Sequence, residues 1–74
     1  MKVLFENSQG KTREIADVST IEEANKVINR FCEERNFYIR YKRKWKKGNV
    51  TYVDVGSHTE FFHIVEEGNN GLFY

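Results

Sequence analysis

Hydrophobic and polar positions change period along this chain, and the changes mark its elements. The run Lys2-Val3-Leu4-Phe5-Glu6 predicts a short strand, Asn7-Ser8-Gln9-Gly10 a turn, and residues 11–18 a return strand with Ile15 as its clearest core position. Ser19-Thr20-Ile21-Glu22-Glu23 is a helix start, because Thr20 can cap the first turn while Glu23 reaches back in a capping box. From there Ile21, Ala24, Val27, Ile28 and Phe31 follow the rhythm of one buried stripe. The helix is expected over residues 21–35, with Asn36 taking the left-handed conformation that ends it.

From Phe37 onward the period becomes two, and it recurs in residues 50–55 and 60–65. Lys47-Gly48-Asn49 and Gly56-Ser57-His58-Thr59 supply the connections. The predicted fold class is therefore α+β, in the order ββαβββ, with one helix packed on one face of an antiparallel sheet. A three-residue loop at Lys47-Gly48-Asn49 sets Lys46 opposite Val50 and Arg43 opposite Val53, and a four-residue loop at residues 56–59 sets Val53 opposite Phe62. One face then collects Phe37, Ile39, Tyr41, Val53, Val55, Phe62 and Ile64 as the floor for the helix. The other collects Tyr38, Arg40, Lys42, Lys44, Tyr52, Asp54, Phe61 and His63.

That second face acquires its interest from charge. Six of the twelve Lys and Arg residues lie between Arg40 and Lys47, among Tyr41 and Trp45, although the whole chain carries a net charge of only +1. Rings between cations on a sheet can stack bases, at about 1 to 3 kcal/mol each, while the cations neutralise phosphates. The same residue types also anchor protein interfaces or simply keep an edge strand soluble. Net charge near zero excludes a polycation that coats nucleic acid in bulk, and no RNP-type or GXXG motif is present. Trp45, at the far end of the strand, is either a lid on the core or an interface anchor.

Seventy-four residues make one domain with a small core, leaving no room for a deep enclosed active site. The whole of 1–74 is taken as that domain, with 68–74 a glycine-containing tail whose Leu72, Phe73 and Tyr74 favour burial. One cysteine, Cys32, rules out an internal disulfide and fits a reducing compartment, and no apolar run approaches the roughly 20 residues of a membrane span. His58, His63 and Cys32 lack the paired spacing of zinc ligands, so no metal or cofactor is expected. Ser57, His58 and Glu60 are of hydrolase type, yet neighbours on one turn cannot form a relay, and no catalytic residue is expected either. Ser57 and Thr59 are better suited to bonding the backbone of their own turn.

The stretch Tyr52-Val53-Asp54-Val55-Gly56-Ser57-His58-Thr59-Glu60-Phe61-Phe62-His63-Ile64, following a capped helix and a Tyr-rich basic strand, resembles small proteins encoded by phages and mobile elements of Firmicutes. The resemblance covers about residues 18–65 and is sharpest at Gly-Ser-His-Thr-Glu-Phe-Phe. It implies a cytoplasmic protein of a bacterial host that binds and diverts host machinery, inhibitors of CRISPR nucleases being a prominent class. The basic strand departs from the acidic DNA mimicry common among such inhibitors. The leading expectation is a non-enzymatic protein, monomer or homodimer, docking through Tyr38, Arg40, Lys42, Lys44, Trp45, Tyr52, Phe61 and His63 onto a host or phage protein that handles nucleic acid. Direct binding of single-stranded nucleic acid and a structural role in assembly are the alternatives, and no membrane partner is expected.

Overall fold

Each of the three local signals in the first half of the chain is realised by a specific set of hydrogen bonds. A computed structural model describes residues 1–57 and 59–66. Strands β1 (Lys2–Glu6) and β2 (Thr12–Asp17) form the first hairpin. The Asn7 side-chain oxygen closes its turn by accepting from the amides of Gln9 and Lys11, at 2.9 and 3.0 Å. A bulge between Val3 and Leu4 inserts one extra residue in β2, so that Ile15 and Ala16 both pack against the core instead of Ile15 alone.

Helix α1 (Ile21–Glu34) starts at Thr20, whose hydroxyl accepts from the Glu23 amide at 3.1 Å. The Glu23 carboxylate in turn accepts from the Ser19 amide at 2.8 Å, one residue earlier than a minimal capping box requires. Asn36 follows the helix with φ of 57° and ends it. Ala24, Ile28 and Cys32 are the buried line of the helix, with Val27 and Phe31 half-covered at its flank; Ile21, expected in the stripe, is instead exposed in the first turn.

Strands β3 (Arg43–Lys47), β4 (Val50–Asp54) and β5 (Phe61–Val65) complete one antiparallel sheet in the order β2-β1-β5-β4-β3. The ββαβββ order and the single helix on an antiparallel sheet are as the sequence predicts. Val3, Phe5, Val53, Phe62 and Ile64 point to the helix side and are at most 6% exposed. Phe5, Phe31 and Phe62 meet there with ring centroids 4.8 to 5.7 Å apart, and the Arg35 guanidinium lies 4.7 Å from the Phe5 ring centre, closing that end of the core.

Two expectations are corrected. The basic strand does not begin at Phe37: residues 37–42 connect α1 to β3 outside the sheet, with Phe37 and Ile39 packed on the core but Tyr41 48% exposed. The β3–β4 turn has two residues, Gly48 and Asn49, so Lys47 pairs with Val50 and Arg43 with Asp54. Gly48 at φ of 60° suits the first central position of a tight hairpin turn whose twist matches the strands. The slip of one residue sends every β3 side chain to the opposite face. By contrast, Val53 faces Phe62 and Thr51 faces Ile64, as the four-residue loop implied. The tail expected at 68–74 and His58 lie outside the described residues.

Candidate functional site

The side chains alternate with the core positions, so register alone assembles the outer face. One row crosses four strands through Leu4, His63, Tyr52 and Trp45. On one side of it lie Lys2, Val65, Val50 and Lys47, and on the other Glu6, Phe61, Asp54 and Arg43. The helix occupies the opposite face, leaving these residues to cover one another. Trp45 stacks on Tyr52 with centroids 5.6 Å apart and planes 16° from parallel, and Tyr52 meets the His63 ring edge-on at 4.8 Å. His63 Nε2 lies 2.8 Å from Glu6 Oε1.

Asp54 anchors the basic end. One of its oxygens accepts from the Gly56 amide at 2.9 Å and the other from Arg43 at 3.3 Å, while Arg43 also lies 5.8 Å from the Tyr41 ring centre. The carboxylate is nearly buried and fully engaged, so Arg43 is both neutralised and oriented. Lys46 is paired to Glu66 at 2.9 Å. Among the described residues, neither Lys44 nor Lys47 has an ion-pair partner within 4.0 Å.

The structure divides the residues expected to share one surface. Trp45, Tyr52, Phe61 and His63 are together on the outer face. Lys44, opposite Val53, is on the helix side, and Lys42 lies near Cys32 and Lys44 there. Burial, with the Lys44 charge beside it, holds the Lys42 ammonium below its usual pKa, and the Cys32 thiol pulls the other way. Tyr38, 81% exposed, and Arg40 belong to the connecting segment and not to a strand. Trp45 is 44% exposed and covers Tyr52, not the end of the core. Leu4 and Glu6, which the sequence reading left out, join the site because β1 lies next to β5. Their signal was the alternation itself: with Val3 and Phe5 inward, Leu4 and Glu6 must point out.

Cys32 is on the helix side of the sheet and His63 on the other, so they cannot share a ligand. Among the described residues no three His, Cys, Asp or Glu side chains gather closely enough to hold a metal ion. Burial pushes the Cys32 thiol above its usual pKa; Lys42 and Arg35 pull it back and Glu60 adds to the rise. The Ser57 hydroxyl accepts from the amides of Thr59 and Glu60, at 3.3 and 3.1 Å, which gives it the turn-stabilising role its position implied. A groove of about 660 Å³ lies elsewhere, between β2 and α1, with an apolar wall of Ile15, Val27 and Phe31 under a rim of mixed charge. Among the described residues no helix is long and apolar enough to cross a membrane. Set against known proteins, the chain matches no family model, no curated protein and no solved structure.

Proposed function

We propose that this chain is a non-enzymatic binding domain that docks a partner protein through its outer sheet face, centred on Trp45 and Tyr52. The observation that carries this reading is the row Leu4, His63, Tyr52 and Trp45, an aromatic and aliphatic stripe with no element of the chain among the described residues packed over it. Tyr, Trp and Arg are the usual anchors of protein interfaces, and here a half-exposed Trp45 stands beside an Arg43 already oriented by Asp54. Two facts favour protein over nucleic acid. The cations of β3 are divided between two faces, and Tyr52 is already engaged by Trp45 and His63, which leaves little open ring surface for a base.

The partner to be sought is a host protein that handles nucleic acid, CRISPR nucleases included, the class that a phage-type resemblance over about residues 18–65 implies. Tagged chain captures its partner from a bacterial lysate, and the purified partner then binds wild-type chain directly. A Trp45→Ala, Tyr52→Ala double variant that remains folded should lose about tenfold or more in affinity, the scale of one interfacial anchor. Undiminished affinity in that variant would sink the proposed surface. Binding of single-stranded RNA or DNA that weakens steeply with salt, in place of a protein, would transfer the face to nucleic acid. Micromolar self-association with no captured partner would favour the assembly role.

A further inference from the structure

The sheet has two edges, and they are not equivalent. On β2 the bulge breaks the regular ladder, and its charged side chains are of both signs, Arg13 against Glu14 and Asp17. On β3 the strand is regular, all five residues are exposed, and four of the five are basic. A two-residue turn makes Lys47 and Val50 a hydrogen-bonded pair, and antiparallel alternation then makes Trp45 with Tyr52 and Arg43 with Asp54 hydrogen-bonded pairs as well. The backbone N–H and C=O groups of Lys44 and Lys46 are therefore directed away from β4, toward an edge that no strand among the described residues occupies. Their side chains stand on the helix side, while Trp45 stands on the outer face.

We propose that the free edge of β3 accepts an extended segment of a partner protein as an added strand, with carboxylates on the face beside Lys44 and Lys46 and an apolar side chain beside Trp45. The proposal rests on the reading that this end of the sheet docks a protein, and it names the chemistry of what docks. Charge complementarity selects the occupant. Lys44 and Lys47 carry charges unmatched among the described residues, and Lys46 is held only by a half-exposed pair with Glu66. A second copy of the same edge would set lysine against lysine, which is destabilising, so the feature that blocks self-pairing admits an acidic strand. Main-chain bonds to Lys44 and Lys46 would supply affinity, and the flanking side chains specificity.

The probe is a short synthetic peptide that alternates glutamate with valine and phenylalanine, titrated into the full chain at low salt. The amide protons of Lys44 and Lys46 should exchange about tenfold more slowly in the complex, while a peptide with lysine for glutamate should not bind. Lys46→Pro removes an edge-directed N–H that β4 does not use, so the chain should fold and lose the peptide. A Lys44→Glu, Lys46→Glu variant keeps every amide and should bind the lysine peptide instead. Binding that leaves both amides unprotected, or that survives Lys46→Pro, would overturn the proposal. The authentic partner separates the two ideas. If Lys46→Pro still binds it and Tyr52→Ala does not, the edge falls and face docking stands; if both variants bind it unchanged, both fall.

Discussion

The two faces of the sheet are built from the same strands by the same period of two, yet they are held in different ways. On the helix side Val3, Phe5, Val53, Phe62 and Ile64 meet Ala24, Ile28 and Cys32 and lose nearly all contact with water. On the outer side Leu4, Tyr52, Phe61, His63 and Trp45 have, among the described residues, their lateral neighbours in place of a second layer. The first face is held by a second layer, whose burial is the dominant stabilising effect at this size. The second is held by cross-strand pairs, each worth about 0.2 to 1 kcal/mol. A small domain can thus place its fold on one face and offer the other for binding, because losses on the outer face are small enough to tolerate.

Substitutions break this division most clearly when the helix-side face is attacked. Phe62→Ala removes the fully buried ring that packs against both Phe5 and Phe31 and should cost about 3 to 5 kcal/mol, comparable to the whole stability of a chain this short. Urea denaturation followed by circular dichroism measures it. A cost below about 1 kcal/mol would mean that the layer under the helix is not what holds the sheet.

Gly48→Val comes next. Gly48 has φ of 60°, a region that costs L side chains about 1 to 2 kcal/mol, although a side chain there would meet open space. The strain acts on the β3–β4 hairpin, and Trp45, the single tryptophan, reports it. Its fluorescence should shift toward that of a solvated indole in the variant, with helix content by circular dichroism unchanged. Tyr52→Ala, on the outer face, should cost only about 0.5 to 1.5 kcal/mol, the scale of an aromatic pair, while removing the ring on which Trp45 stacks. The ratio of the Phe62 and Tyr52 costs measures how unequal the two faces are.

The order of elements was legible because each depends on near neighbours: Thr20 with Glu23 for the helix start, Asn36 for its end, Asn7 and Gly10 for the first turn. Register in β4 and β5 was also legible, since a shared face for Val53, Phe62 and Ile64 excludes odd slips and the four-residue loop at 56–59 selects among the even ones. The candidate site was legible in part. Gly48-Asn49 is a two-residue turn signal, and counting Lys47 into the loop moved the basic residues to the wrong side of β3. Residues 37–42 alternate like a strand, but alternation does not say whether a partner strand is within reach, and β4 is already paired before that segment arrives. Nor does local pattern say that β1 lies beside β5, a contact across most of the chain that brings Glu6 to His63.

The smallest expected effect sharpens the comparison within the helix-side face, where two ionisable groups flank the core with opposite consequences. Burial raises the Cys32 thiol above its usual 9.0, so the folded state retains a proton that the unfolded chain releases. The stability it contributes is complete below 9.0 and is lost as pH rises through the raised folded value. Burial, assisted by Lys44, lowers Lys42 below 10.5, so the unfolded chain holds a proton that the folded state gives up. Stability from this group therefore rises with pH between the lowered value and 10.5. Cys32→Ala should remove the alkaline fall and keep the rise, enlarged because Cys32 is the group that draws the Lys42 pKa back up. Lys42→Gln should remove the rise and also deepen the fall, because the Lys42 charge is one of those that draw the thiol back down. Denaturation midpoints taken as differences from wild type across the alkaline range cancel the other lysines and tyrosines. Parallel curves for the two variants would mean that Cys32 and Lys42 do not sense burial, and that the helix-side face ends before it reaches β3.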